Sequence, residues 1–213
     1  MGSARRQDIL EAALEVFAER GFKNASIDAV AERAGLTRQG VLHYFPSKKQ
    51  LLLELLTFRE QLNRAHLADH PVGEDLPAHF AAAVAFEQGH PSFATVHSVV
   101  MAEAVTGQEP ARSYAGDRLR SLQLHLTARL TERYGAYMPS GLSASAAATG
   151  ALALVEGIHQ WWLMDPEPDA DHYPRIVRET LAVLFGSQGA TPGGGDTGEE
   201  RADSSAPGTA PDK

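Results

Sequence analysis

The stretch from Ser26 to Phe45 carries polar side chains that suit contact with DNA bases. Arg38, Gln39 and His43 are spaced so that they share the outward face of a short helix. Arginine pairs well with guanine and glutamine with adenine, because their donors and acceptors match those base edges. This stretch therefore predicts a surface that reads DNA sequence.

Two short helices around a turn are needed to hold that surface. Apolar residues of helical period precede the turn, and Gly35 can take the left-handed conformation that ends a helix. Ser26 and Thr37 stand where a hydroxyl can cap each helix. Val41, together with the aromatic residues after it, faces inward. The pattern is a helix-turn-helix, whose second helix would enter the major groove.

These residues resemble the TetR family of transcription regulators. The resemblance is carried by residues 34–48, AGLTRQGVLHYFPSK, followed by Leu51 and Leu52. The family pattern is a Gly, an aliphatic residue, Ser or Thr, a variable pair, and an aromatic-rich run ending in Phe, with a Lys three residues later. Where the family usually has a Tyr that meets a DNA phosphate, this chain has Leu42. That side chain can touch a thymine methyl instead.

The resemblance implies an all-α fold of nine helices. A three-helix DNA-binding domain would occupy residues 1–47, and a six-helix effector-binding and dimerisation domain residues 48–186. Residues 187–213 hold no large apolar side chain, so we expect a disordered tail. Periodicity and breaks place a first helix at 5–20, ended by Gly21, and a fourth from Ser47 to about 69. A linker follows at 71–77, and further helices are expected at 77–89, 91–105, 110–135, 142–164 and 172–185.

The expected DNA contacts fall on the second helix of the motif and at helix N-termini. Gly40 would let the backbone approach DNA closely, and Tyr44 is divided between core packing and a phosphate contact. Lys48, with Lys49 second, stands at a helix N-terminus, which attracts phosphate. The candidate DNA-binding residues are Ser26, Thr37, Arg38, Gln39, Gly40, Leu42, His43, Tyr44 and Lys48.

Small residues recur on one face of the helix expected at 142–164. They lie at i, i+4, i+7 and i+11, which would let two helices approach closely. An intramolecular core is the alternative, but a two-fold operator calls for a two-fold protein. TetR-like proteins dimerise through a four-helix bundle from this region. The candidate dimerisation residues are Ala146, Gly150, Ala153, Gly157 and Leu181.

The resemblance also implies a cavity between the later helices that binds a small effector. Such a cavity would be mostly apolar, with a few polar anchors. Each candidate also fits an ordinary core or surface position, and the effector itself stays unidentified. The candidate effector-binding residues are Phe93, His97, Met101, His125, Glu156, His159 and Trp161.

A metallo-enzyme built in a helix bundle is the alternative function. Di-iron bundles use Glu-x-x-His pairs, and this pattern occurs at Glu87–His90 and Glu156–His159. Gly89 and Pro91 would break the helix that the first pair needs. A hydrolase is disfavoured because no local motif places a Ser beside a base. We therefore expect a regulator with no catalytic residues, no resident metal and no cofactor.

Charge and composition agree with a DNA-binding regulator. The net charge is −8, but residues 1–64 hold ten Lys or Arg against eight Asp or Glu, and residues 65–213 hold nine against nineteen. The basic surplus thus lies with the motif, where phosphate would face it. The chain has no Cys and shows no signal peptide or membrane span. We expect a soluble, cytoplasmic homodimer that binds double-stranded operator DNA, with repression favoured by family habit and activation left open.

Overall fold

A computed structural model describes residues 2–69, 75–165 and 169–186 of the chain, and within these ranges the fold is all-α, as predicted. The described residues form nine α-helices, a 3-10 turn at Leu67–Asp69 and no strand beyond one isolated bridge between Tyr137 and Ser143. The helices are α1 (Gly2–Asn24), α2 (Ile27–Arg33), α3 (Arg38–Tyr44), α4 (Lys48–His66), α5 (Leu76–Gln88), α6 (Pro91–Val105), α7 (Ala111–Tyr134), α8 (Ala144–Met164) and α9 (His172–Phe185).

The predicted caps and turn of the motif are confirmed. Ser26, Thr37 and Ser47 each take an extended backbone conformation, and each hydroxyl accepts from the N–H three residues later. These bonds satisfy donors that the first turn of a helix leaves unpaired. Gly35 has φ +64°, the left-handed value expected at the end of α2, and Gly21 breaks α1 with φ +69°.

Two hydrophobic cores divide the molecule. The N-terminal core joins α1, α2, α3 and the first half of α4 with Phe93, Val96 and Val100 of α6. The C-terminal core joins α5, α8, α9 and the end of α7. Four leucines of α4 are buried in the N-terminal core, and Phe58 and Leu62 pack against the same core, so α4 packs with the motif. The domain boundary at residues 47 and 48 remains a prediction.

A polar joint connects α1 to α6. The Glu103 carboxylate accepts a hydrogen bond from the backbone N–H of Lys23 at 3.0 Å. A Cβ on Gly21 would stand 3.1 Å from that carboxylate and 3.3 Å from Val99. Glycine at this position therefore supplies both a left-handed backbone and a close approach. This joint gives the body of the protein a direct contact with the helix that supports the motif.

Within the described residues, no helix has the length and apolarity that crossing a membrane requires. The predicted disordered tail at 187–213 lies outside the described residues, as do 70–74 and 166–168 of the predicted connections.

Candidate functional site

The outward face of α3 presents the polar residues that the sequence singled out. Arg38, Gln39 and His43 are exposed. Val41 on the opposite side is completely buried in the N-terminal core, which fixes the rotation of the helix. The candidate base-reading side chains therefore share one accessible surface.

Arg38 is held by a surface ion pair. Its Nη1 lies 2.6 Å from Oδ2 of Asp28, the acidic residue in the first turn of α2. Both side chains are more than half exposed, so water screens the pair and it contributes little free energy. A guanine edge can therefore replace Asp28 as the partner of Arg38 at small cost.

The two capping hydroxyls lie at the border of this face. Ser26 Oγ accepts from the N–H of Ala29, and Thr37 Oγ1 accepts from that of Gly40, both at 3.1 Å. A hydroxyl that accepts in this way retains its own O–H donor. Each residue can thus cap a helix and donate to a phosphate at the same time.

Leu42 and Tyr44 are partly buried against the N-terminal core, and the Tyr44 ring stands edge-on to His43. Gly40 is not required by the fold, because a Cβ there would lie 3.4 Å from Thr37 Oγ1 and 3.7 Å from Leu36 Cβ. The missing side chain opens space on the outward side of α3. That is where a close approach to DNA would need it.

Lys48 is placed differently from the expectation. Its ammonium donates to the carbonyl oxygens of Phe22 at 2.7 Å and Ala25 at 2.8 Å and lies 4.5 Å from the centre of the Phe22 ring. Burial lowers the pKa of this amine. Lys48 therefore ties the end of α1 to the start of α4, and its phosphate contact stays a prediction. Lys49 is exposed.

A cleft of about 1110 Å³ lies between α4, α5 and α7. Its apolar wall is made by Leu53, Leu67, Pro110 and Leu122. Of the predicted effector residues only His125 lines it. The charged and polar side chains that line it are Lys49, Glu60, Asn63, Arg64, His79, Ser113, Tyr114, Asp117, Arg118, Ser121 and His125. Three cations, Lys49, Arg64 and Arg118, thus outnumber the two carboxylates of Glu60 and Asp117.

A hydrogen-bonded group forms the inner end of the cleft. Glu60 accepts from the Tyr114 hydroxyl at 2.9 Å and lies 3.2 Å from Arg118 Nε. Burial raises the pKa of Tyr114 to about 12, so this phenol stays a donor at neutral pH. This group could not be predicted from the sequence, because its members come from two helices more than fifty residues apart.

Three predicted effector residues come together elsewhere, between α6 and α8. His97 Nε2 lies 2.9 Å from Oε2 of Glu156, and the rings of His97 and His159 meet edge to face with centroids 6.3 Å apart. Both histidines are at least 95% buried. We call His97, Glu156 and His159 the His–Glu–His cluster.

Charge states in this cluster follow from burial and proximity. Burial opposes ionisation of the Glu156 carboxyl, but the hydrogen bond from His97 and the charges of His97, His159 and Arg118 together outweigh it and lower the pKa to about 2. Burial, reinforced by nearby His97, lowers the pKa of His159 to about 4. At neutral pH the cluster therefore holds a carboxylate beside a neutral His159 imidazole.

The remaining predicted effector residues are dispersed. Phe93 is buried in the N-terminal core, Met101 is partly buried on α6, and Trp161 is 62% exposed. None of the three lines the cleft. Aromatic and Met residues at helical spacing also occur in cores and on surfaces. Their spacing alone does not distinguish those positions from effector contacts.

The first Glu-x-x-His pair does not form a metal site. Glu87 is buried and forms an ion pair with buried Arg59 of α4. His90 lies outside the helix, at the N-cap of α6, and its ring stacks on Phe86. The di-iron geometry therefore lacks one of its two halves, because Gly89 and Pro91 end α5 before His90.

The small-residue stripe on α8 is accessible in the single chain. Ala146, Ala153 and Gly157 are exposed, and Gly150 is partly covered by Leu184 of α9. On α9, Val183 is 75% exposed. These residues define the α8–α9 face.

Leu181 must be removed from the predicted dimerisation set. It is fully buried in the C-terminal core, because α9 turns this side chain inward within its own chain. A residue in this position cannot reach a partner subunit.

Two family models match the chain. Residues 9–55 match the model described as bacterial regulatory proteins, tetR family. Residues 73–186, more than half of the chain, match the model of the BetI-type transcriptional repressor, C-terminal. The curated regulator RutR of Escherichia coli (strain K12) is 41% identical over 54 residues, which are 25% of this chain and 26% of RutR. The chain thus matches about a quarter of the length of this relative.

Solved structures are similar over most of the chain. NalD, the secondary repressor of the MexAB-OprM multidrug efflux pump in Pseudomonas aeruginosa, aligns with a TM-score of 0.68 and 23% identity over 88% of this chain and 99% of NalD. FadR of Bacillus subtilis, in complex with stearoyl-CoA, aligns with a TM-score of 0.66 and 21% identity over 82% of this chain and 96% of FadR. At these identities the likeness establishes the fold.

Proposed function

The chain belongs to the TetR family of bacterial regulatory proteins, and we propose that it is a homodimeric transcriptional repressor that a small molecule releases from its operator. The outward face of α3 carries this proposal, because it holds Arg38, Gln39 and His43 on a rigidly capped helix. The match of residues 73–186 to a repressor family favours repression over activation.

Each protomer places one α3 helix in the major groove of a pseudo-palindromic operator. Arg38 exchanges Asp28 for a guanine edge, and Gln39 pairs with adenine. Gly40 lets the backbone of α3 approach DNA closely, and Leu42 contacts a thymine methyl. His43 lies on the same outward face. Ser26 and Thr37 donate to phosphates and set the register, with Tyr44 beside them.

Dimerisation uses the α8–α9 face. Ala146, Gly150, Ala153 and Gly157 present almost no side-chain bulk, so a second copy of α8 can pack closely against them. Trp161 and Val183 border the stripe and would lose their exposed apolar surface to the same contact. A two-fold arrangement of this kind spaces the two α3 helices for two half-sites.

The effector enters the cleft between α4, α5 and α7. Its apolar wall together with Arg64, Arg118 and Lys49 suits an amphipathic anion, such as an acyl thioester or a fatty acid. FadR, a structural neighbour, is described in complex with stearoyl-CoA. The chemistry of this chain's own cleft supports the same class of ligand.

Release follows if the effector prefers a dimer whose two α3 helices are wrongly spaced. The cleft and the motif share α4, since Lys48 anchors its start and Arg64 lies near its end. The Glu103 joint between α6 and α1 offers a second connection. Both connections run through packed helices, which transmit a tilt better than loops do.

The effector proposal is tested with full-length protein bound to a fluorescent operator duplex. Stearoyl-CoA should lower the anisotropy in a saturable way, and Arg118→Gln should weaken this release. Arg129→Gln, an exposed arginine elsewhere on α7, is the matched control. Release unaffected by Arg118→Gln and Arg64→Gln would refute the cleft as the anion site. The proposed DNA reading would survive that result.

A further inference from the structure

The His–Glu–His cluster, with two buried histidines and a partly exposed carboxylate, is a group that the proposed function does not use. His97 comes from α6, and Glu156 and His159 come from α8 one helical turn apart. One potential ligand atom from each side chain lies within 4.8 Å of the other two. The cleft is lined by other residues, so this cluster is a separate feature.

The ring nitrogens of these histidines lack the partners that burial demands. His97 is 1% exposed and His159 is 5% exposed. His97 Nδ1 and both ring nitrogens of His159 make no hydrogen bond to any described group. Buried polar side chains are nearly always bonded, since leaving one unpaired costs about 1–3 kcal/mol. His159 has no partner for either ring nitrogen, although it lies beside the bonded pair of His97 Nε2 and Glu156, so a ligand that all three groups can share would satisfy it.

We propose that His97, Glu156 and His159 form a binding site for one divalent transition-metal ion, Zn²⁺ in the first instance. This site is separate from the proposed DNA and effector sites, and metal binding there does not require any effect of the ion on DNA binding.

Two imidazoles and a carboxylate are an established donor set for such ions. Zn²⁺ takes His nitrogen and Glu oxygen at about 2.0–2.2 Å, so tetrahedral ligand atoms lie about 3.3 Å apart. His97 Nε2 and Glu156 Oε2 already lie 2.9 Å apart. Side-chain rotation has only to bring His159 closer. Three protein ligands leave the fourth position for a water molecule or another small donor.

The surrounding charges do not exclude a cation. Arg59 and Arg118 are the nearby cationic side chains. Each has a carboxylate beside it, since Glu87 pairs with Arg59 and Glu60 lies beside Arg118. Oxygen-seeking Mg²⁺ and Ca²⁺ fit poorly, because two of the three donors are imidazole nitrogens.

The test is direct metal binding by the untagged, full-length protein after treatment with a chelator. Calorimetric titration with Zn²⁺ should give one ion per chain, and Zn²⁺ should raise the melting temperature because it binds only the folded state. Co²⁺ should give the visible absorption of a tetrahedral site. Glu156→Gln and His159→Asn should each weaken Zn²⁺ binding by at least about 100-fold, since loss of even an outer-shell partner costs 10–100-fold.

Matched controls separate this site from surface binding. His172→Asn and Glu179→Gln remove the same residue types from α9 and should leave Zn²⁺ affinity unchanged. Glu156→Gln keeps the size of the side chain, so it covers the case in which His159→Asn does not fold, as judged by circular dichroism. Absence of saturable binding of Zn²⁺ and Co²⁺ would overturn the proposal. Undiminished affinity in folded Glu156→Gln would also overturn it.

Discussion

Two arginine–carboxylate pairs show how differently the two parts of the molecule use charge. Arg38 and Asp28, on the α2–α3 motif, are 56% and 66% exposed, whereas Arg59 and Glu87, between α4 and α5, are 3% and 2% exposed. Water screens the first pair, so its partners can be exchanged for DNA at little cost. The second pair has given up its hydration, and removing either partner would leave an uncompensated charge.

An arginine that is to bind DNA needs a fixed position and a partner that DNA can replace, and the exposed pair of Arg38 and Asp28 meets both needs. The motif combines capped helices and a buried Val41 with exposed side chains that we propose to read DNA. In the helical body, Arg59 and Glu87 are buried and depend on each other. Mutations should therefore affect DNA binding in the motif and stability in the body.

The largest expected effect is on the buried pair. Glu87→Ala should lower the free energy of unfolding by about 3–5 kcal/mol, because Arg59 would remain charged and buried without a partner. Urea unfolding at fixed protein concentration measures this. Glu132→Ala, in an exposed pair on α7, should change stability by less than about 0.5 kcal/mol.

A second variant sharpens the test of the buried pair. Arg59→Met combined with Glu87→Leu should recover most of the lost stability, since replacing both partners by apolar groups removes the desolvation penalty. A loss below about 1 kcal/mol in Glu87→Ala would show that the pair is not buried in solution.

The α8–α9 face lies between the two extremes, because it is exposed in one chain and would be buried by a partner in the proposed dimer. Gly150→Leu should weaken the dimer by about 1–3 kcal/mol through overpacking against α8 of the partner and its own Leu184. Light scattering over a dilution series measures the shift. Gly116→Leu, on α7, is the matched control, and an unchanged dimer in Gly150→Leu would place the interface elsewhere.

On the motif, Arg38→Ala should weaken operator binding by about 1–3 kcal/mol and relax the preference at one base pair. Stability should change by less than about 0.5 kcal/mol, because the Asp28 pair is exposed. Anisotropy titrations with matched and base-substituted duplexes measure both effects. Unchanged affinity and preference would contradict the role given to Arg38.

The smallest expected effect is that of Asp28→Asn. Removing the competing carboxylate should raise operator affinity by less than about 1 kcal/mol, the value of an exposed ion pair. Thermal unfolding should show a loss of a few tenths of a kcal/mol, because Asp28 also favours the N-terminus of α2. Weaker operator binding would mean that Asp28 positions Arg38 instead of competing for it.

The motif could be predicted from sequence because its signals are local. Ser26, Thr37 and Gly35 act within four residues of themselves, and the observed caps and left-handed turn follow from those residue types. The polar sites in the body depend on helices far apart in sequence. His97, Glu156 and His159 were individually singled out, but no spacing indicates that residues 97 and 156 meet.

Two side-chain directions could not be predicted from sequence, for the same reason. The apolar residues of α9 cover more than one face, so sequence did not reveal that Leu181 points into its own chain while Val183 points out. Lys48 was expected to face phosphate, but the carbonyl oxygens of Phe22 and Ala25 at the end of α1 attract its ammonium. Both outcomes depend on how helices pack, which a local pattern does not contain.

Sequence reading by a dimer can be tested by selection of binding sites from random duplex DNA. Purified full-length protein at near-physiological salt should enrich an inverted repeat with fixed half-site spacing. Arg38→Ala should lose the preference at one position in each half-site. A folded, dimeric protein that enriches no sequence, both as purified and after unfolding, dialysis and refolding to remove bound effector, would contradict the proposed reading of an operator by α3.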